Sequence, residues 1–136
     1  MKRLHVVVAT IACVTALCGQ ASADGDPAKG EKLFNGFPKC HACHSLNPNE
    51  TKVGPTLARL FGRKAGSVEG FDKYSDAMVN SGVIWDVETL SEFLADPKKY
   101  IPDNSHMMEG YYVVGQVSSE QHRADLIAYL KEATKQ

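Results

Sequence analysis

The chain has no second cysteine pair to set beside Cys40 and Cys43, no apolar run long enough to cross a bilayer, no excess of positive charge and no stretch of alternating apolar and polar residues. Each absence excludes something. The other two cysteines, Cys13 and Cys18, lie in the N-terminal apolar segment. A structural zinc site, which wants four nitrogen or sulfur ligands, therefore lacks half its donors. The apolar run at residues 4–17 is about 14 residues long, against about 20 for a membrane span. Fifteen Lys and Arg nearly balance 16 Asp and Glu, so no bulk field draws the chain to nucleic acid. With no strand pattern near Cys40, a thioredoxin-like redox pair has no βαβ setting. No internal repeat or low-complexity tract appears, and 136 residues leave room for one domain.

What is present begins with Cys40-His41-Ala42-Cys43-His44. Two thiols three residues apart on one helical turn can reach the two vinyl groups of a haem, and the next residue, His44, then projects its imidazole toward the iron. This is the attachment pattern of c-type haem. A disulfide between Cys40 and Cys43 would close a very small loop and stabilise little. His41, between the cysteines, reads as a solvent-facing spacer.

The N-terminus has the features of a secretory signal: Lys2 and Arg3, the short apolar run, and Ala21-Ser22-Ala23 as the cleavage site. Residues 1–23 are expected to be removed, leaving a domain of residues 24–136. A lipoprotein would use Cys18, but Leu17 stands before it where a small residue is expected. Loss of Lys2 and Arg3 leaves the mature domain at a net charge of −3. Haem attachment needs reduced thiols in an otherwise oxidising compartment, so export points to a periplasm. A mature domain of this size buries only a modest core, and a covalent macrocycle would add apolar mass to it.

Along the chain, Asp26-Pro27 caps and opens a first helix. Gly30 inside that helix costs about 1 kcal/mol against Ala, which suggests close approach of another helix there. Residues 47–66 read as loop, with a short turn of helix around residues 57–61. Residues 75–80 form a short helix stopped by Gly82. Asp86 caps a clearer one, with Leu90, Phe93 and Leu94 as its apolar stripe and Pro97 as its stop. Residues 100–117 read as one long loop. Ser118 with Gln121 forms a capping box for the last helix, where Leu126, Ile127 and Leu130 recur at helical spacing. The expected architecture is all-α, with four to five short helices.

A carrier that moves electrons without binding substrate needs a second axial ligand. The candidate donors are Met78, His106, Met107, Met108 and His122. Met78 has apolar neighbours and suits core packing; His122 falls on the first turn of the last helix and suits solvent. His106, Met107 and Met108 cluster in the long loop, where thioether ligation would raise the potential relative to two imidazoles.

The chain resembles the class I cytochromes c over nearly the whole mature domain. The matching stretches are Gly30-Glu31-Lys32-Leu33-Phe34, the Cys40 to His44 pentad, Val53-Gly54-Pro55-Thr56-Leu57, Leu60-Phe61-Gly62-Arg63, Tyr74-Ser75-Asp76-Ala77, Ser81-Gly82-Val83-Ile84-Trp85, Asp96-Pro97-Lys98-Lys99-Tyr100-Ile101-Pro102 and Arg123-Ala124-Asp125-Leu126-Ile127-Ala128-Tyr129-Leu130. The resemblance implies the class I cytochrome c fold, with short helices wrapped around one haem c bound through Cys40 and Cys43. It implies His44 as proximal ligand, with the Pro55 carbonyl accepting from its other nitrogen. It implies Arg63, Tyr74 and Trp85 as hydrogen-bond partners of the haem propionates, and Gly30 and Phe34 packed against Leu126 and Tyr129. The family's ligand Met falls four residues after the proline equivalent to Pro102, which here is His106. One inserted residue makes Met107 the sixth ligand, which is the first choice; two make it Met108; none makes it His106. Phe93 and Met78 stand where the family often has Tyr and Asn, and residues 108–120 are longer than usual, with Tyr111, Tyr112, Val113 and Val114 forming a lip over haem or a partner patch.

The implied function is a periplasmic carrier, not an enzyme, that shuttles single electrons with His/Met ligation. Its partners are transient redox proteins, with a membrane complex or dehydrogenase as donor and an oxidase, reductase or reaction centre as acceptor. Lys39, Lys64, Lys98 and Lys99 could steer them. A monomer with no stable membrane insertion and no nucleic-acid partner is expected. The alternatives are a dedicated haem subunit accepting electrons from a periplasmic dehydrogenase, and a ligand-binding haem protein with an open iron site.

Overall fold

The computed structural model describes residues 25–36, 40–104 and 117–135. The signal segment 1–23, Lys39, and the stretch holding His106, Met107, Met108, Tyr111, Tyr112, Val113 and Val114 lie outside the described residues.

Among the described residues the chain is helical, in the order α1 (Pro27–Asn35), α2 (Cys40–Cys43), α3 (Asp76–Asn80), α4 (Val87–Ala95), α5 (Pro97–Tyr100) and α6 (Glu120–Ala133). The regular pairing outside helices is one isolated antiparallel bridge between Lys64 and Ile84. It is flanked by Ala65 N–H donating to the Val83 carbonyl at 2.8 Å and Trp85 N–H to the Arg63 carbonyl at 2.9 Å.

The helix starts follow from side-chain chemistry. The Asp26 carboxylate accepts from the N–H groups of Ala28 and Lys29, with Pro27 at the first helical position. Asp86 and Thr89 form a reciprocal capping box at α4. Asp96 closes α4 and at once caps α5, accepting from the Lys99 N–H. Pro97 was expected only to end a helix. It also opens one, because its missing N–H is no loss at a first position, and this adds a helical turn to the four or five expected.

Two other expectations are corrected. The last helix is capped by Ser119, whose hydroxyl accepts from His122 N–H, and not by Ser118 with Gln121. The Ser118 carbonyl instead accepts from Arg123 and the Gln121 amide donates to Asp125. Residues 57–61 form turns and no helix. Arg59 takes a left-handed conformation at φ 53°, and its N–H donates to the Thr134 carbonyl at 2.9 Å, which breaks helical continuity.

The centre of the fold is the crossing of α1 and α6. A Cβ on Gly30 would run into the backbone of Asp125 and come within 2.7 Å of Tyr129 Cβ, so only glycine permits this approach. Phe34 and Tyr129 pack there with ring centroids 5.6 Å apart. Asp125, 2% exposed, accepts from the Asp26 N–H at 2.8 Å and from the Gln121 amide at 2.9 Å, which joins the start of α1 to α6. Leu126, Ile127 and Leu130 of α6 are buried. Leu90, Phe93 and Leu94 of α4 join the same core, each such side chain contributing about 1.5–3 kcal/mol on burial.

Candidate haem site

Cys40, Cys43 and His44 face a cavity of about 390 Å³. Its wall draws on almost every element: Phe34 from α1, Met78 from α3, Leu90, Phe93 and Leu94 from α4, and Leu126 and Leu130 from α6. The lining is mostly apolar, and the exposed Val53 stands at its rim. Trp85 packs edge-on against Phe93 at 5.0 Å between centroids.

Cys40 and Cys43 begin and end the single turn of α2 and are free thiols, not a disulfide. Burial pushes the Cys40 thiol up to about 11, helped by neighbouring Cys43 and opposed by a backbone hydrogen bond. The Cys40 carbonyl accepts from the His44 N–H at 2.9 Å, which continues the turn and fixes His44 beside the thiols. His44 Nδ1 lies 2.8 Å from the Pro55 carbonyl oxygen. A carbonyl only accepts, so Nδ1 carries the proton and the ring's lone pair is on Nε2. Burial lowers the His44 pKa; Arg63 and Lys52 lower it further, against the opposing effect of the Pro55 bond. The ring is thereby held as a neutral imidazole, the form that binds metal.

Behind the ring the backbone is close: a Cβ on Gly54 would sit 2.6 Å from His44 Cε1 and 2.9 Å from Nδ1. Gly54 N–H donates to the Cys43 carbonyl at 2.8 Å, so the loop carrying Pro55 is pinned to the thiol-bearing turn.

Arg63 lines the cavity and donates through Nη1 to the Ala58 carbonyl at 2.7 Å and through Nη2 to the Thr56 carbonyl at 3.0 Å. Burial lowers its pKa while Tyr74 acts the other way. Burial raises the Tyr74 phenol, against a backbone hydrogen bond with Val68 and the Arg63 charge. Trp85, Arg63 and Tyr74 thus share one cavity. Met78, assigned to the core, is buried and lines the cavity as well. His41 and His122 are exposed and line no part of it.

Phe71, Lys73 and Ser75, not anticipated from the sequence, also line the cavity. Phe71 meets Tyr74 edge-on at 4.7 Å. Their signal was proximity to Tyr74 in the chain, and a loop with no periodicity gives no face to read.

The donor set fits a haem. Two thiols and one neutral imidazole stand at the wall of an apolar cavity that also presents a cationic guanidinium and a phenol. Among the described residues no three His, Cys, Asp or Glu side chains cluster as a metal cage. An all-helical wrap around such a cavity, with Cys-x-x-Cys-His in its wall, defines a c-type haem protein. The cytochrome c family model matches residues 27–134. A cytochrome c of Theileria annulata is 46% identical over 112 residues, covering 82% of this chain and 89% of that protein. A cytochrome c type-1 of Ascaris suum is 44% identical over the same length, covering 82% and 92%. The cytochrome c2 of Blastochloris viridis is 44% identical, covering 82% and 80%. The chain belongs to the cytochrome c family and has its all-α class I fold. It binds one covalent haem c through the Cys40 and Cys43 pair and functions in electron transfer with redox partners, as a carrier and not an enzyme. Among the described residues no helix is long and apolar enough to cross a membrane.

Proposed function

We propose that this cytochrome c is a periplasmic single-electron carrier with His44 as proximal ligand and Met107 as distal ligand, Met108 being the alternate. The observation that carries the reading is the 2.8 Å contact between His44 Nδ1 and the Pro55 carbonyl. It fixes both tautomer and ring orientation and makes Nε2 the donor. Haem, when bound, supplies a one-electron iron couple. The chain's own residues do the rest. Leu90, Phe93, Leu94 and Leu126 exclude water, which lowers the reorganisation accompanying a change of charge. Arg63, Tyr74 and Trp85 present N–H and O–H groups to the haem propionates, whose charges need partners once buried. The rim at Val53 leaves a face open to a redox partner. The leader at residues 1–23 supports export.

The test is the optical spectrum of the purified holoprotein, oxidised and reduced. A weak far-red band in the ferric protein reports a thioether–iron bond. Its loss in Met107→Ala and retention in Met108→Ala assigns the ligand. A native protein without the band refutes methionine ligation and turns attention to His106 or an open iron. Location is checked separately, by the N-terminal residue of the mature chain: Asp24 is expected in the periplasmic fraction.

A further inference from the structure

Among the described residues the wall of the haem cavity carries two cations, Arg63 and Lys73, and no carboxylate. The two cations are held differently. Arg63 donates from Nη1 and Nη2 to the Ala58 and Thr56 carbonyls, at 2.7 and 3.0 Å, and is fixed against the wall. Lys73 lines the cavity yet is exposed, so it stands at the mouth. Among the described residues it has no hydrogen bond or ion pair. Asp72 and Asp76, its acidic neighbours in the chain, line no part of the cavity. The backbone on either side of Lys73 is pinned. Phe71 N–H donates to the Val68 carbonyl at 3.3 Å, and Ser75 Oγ accepts from the Met78 N–H at 3.2 Å. Tyr74, the next residue, bonds the Val68 backbone and feels the Arg63 charge. The loop thus sets Lys73 on the same polar stretch of wall as Arg63, Tyr74 and Ser75.

We propose that Lys73 is a haem-binding residue: its ammonium pairs with the propionate carboxylate nearer the cavity mouth, Arg63 serves the inner one, and the Lys73 pair raises the potential of the iron couple. This rests on the reading that the propionates lie against Arg63, Tyr74 and Trp85. A haem has two carboxylates, and charge placed at a mostly apolar cavity needs partners. One guanidinium, already bonded to two carbonyls, is fixed in place and cannot follow both. A lysine ammonium suits the outer carboxylate. It is a compact, strongly hydrated charge with three donors on a flexible stem, and at the mouth it keeps part of its water. The redox sign follows from Coulomb's law. A propionate anion favours the ferric state, which carries one more positive charge than the ferrous. An ammonium that offsets the anion favours the ferrous state. Because the pair is exposed, salt screens it.

The direct test is zero-length coupling of the holoprotein with a water-soluble carbodiimide, which activates a carboxylate for attack by an amine in contact with it. Lys73 Nζ bonds to the propionate carbon, an amide forms, and the carbodiimide leaves as its urea. After proteolysis, mass spectrometry is expected to find the peptide carrying Lys73 joined to the haem peptide containing Cys40, Cys43 and His44, and Lys73→Gln should lose that product. A haem peptide joined only to other lysines, or to none, overturns the proposal. Spectroelectrochemistry then measures the potential. Lys73→Gln should shift the midpoint downward, Lys73→Glu about twice as far because the change in charge is doubled, and Lys73→Arg should stay near wild type. The gap between wild type and Lys73→Gln should narrow as salt is raised. Lys131→Gln, which removes an equal charge at an exposed position on α6, should leave the midpoint near wild type. An equal shift there overturns the proposal, since net charge alone would then suffice. An unchanged midpoint in Lys73→Gln beside a lowered one in Arg63→Gln overturns this proposal alone. Unchanged midpoints in both overturn the propionate reading with it.

Discussion

Replacing Gly30 by Ala sets two effects against each other. Helix propensity favours Ala over Gly by about 1 kcal/mol in a helix interior. The new methyl, however, meets the Asp125 backbone and lies within 2.7 Å of Tyr129 Cβ, closer than side-chain carbons pack. The Asp125 backbone cannot rotate aside as a side-chain tip could, so α1 and α6 must separate. A gap of 0.5–1 Å forfeits a quarter to a half of each dispersion contact across it. Leu126 and Phe34 are buried at this crossing, and a buried Leu makes 40–60 contacts at 0.1–0.2 kcal/mol each. The loss is then about 2–4 kcal/mol, and the net destabilisation about 1–3 kcal/mol after the propensity gain. At roughly 4–8 °C per kcal/mol for a domain of this size, the melting temperature should fall by about 5–20 °C. Thermal and denaturant unfolding of the holoprotein, followed by circular dichroism, measures it. Gly70→Ala is the comparison: its φ of 76° strains any side chain, but no atom lies within 4 Å of the added methyl, so its cost should be about 1 kcal/mol. A Gly30→Ala protein as stable as wild type would refute the close-crossing argument.

Two further predictions concern the site and the acid limb of stability. Gly54→Ala places a methyl 2.6 Å from His44 Cε1; the displaced ring should shift the Soret band and the reduction potential, and unchanged values would show that the loop yields instead. Asp125 is buried, which alone raises its pKa, yet the Asp26 N–H and the Gln121 amide outweigh this and hold it below the usual carboxylate value. A depressed folded-state pKa gives stability that is present above the unfolded pKa of about 3.9 and lost as pH falls through the lower folded value. Asp125→Asn should therefore cost about 1–3 kcal/mol at neutral pH and flatten the pH dependence of unfolding below about pH 4. An unchanged slope there would remove Asp125 from the acid response.

The features legible in the sequence are those whose cause is local. The Asp26 and Asp86 caps, the Cys40–Cys43 turn followed by His44, and the buried stripe of α6 each follow from residues within one or two helical turns. Gly30 was legible in a different way: a helix interior that accepts the poorest non-proline residue signals close approach. The misplaced cap at Ser118 comes from competition between two adjacent serines, of which Ser119 caps through its hydroxyl, and the unforeseen α5 comes from Pro97, which stops one helix and opens the next. The pocket-lining roles of Phe71 and Lys73 depend on how an aperiodic loop folds back, which no local pattern encodes.

The α1–α6 crossing joins the beginning of the domain to its end, with Asp26 N–H bonded to a carboxylate 99 positions later. Contacts so distant in sequence demand closure of nearly the whole chain before they stabilise anything. A chain delivered to its compartment N-terminus first therefore has no partner for its first helix until its last has arrived. During that interval Cys40 and Cys43 stand in an unassembled polypeptide, with their thiols not yet shielded by the leucines of α6. The topology thus gives the haem-attachment step a window in time before the walls close, and a chain cut short of Leu126 would never leave that window.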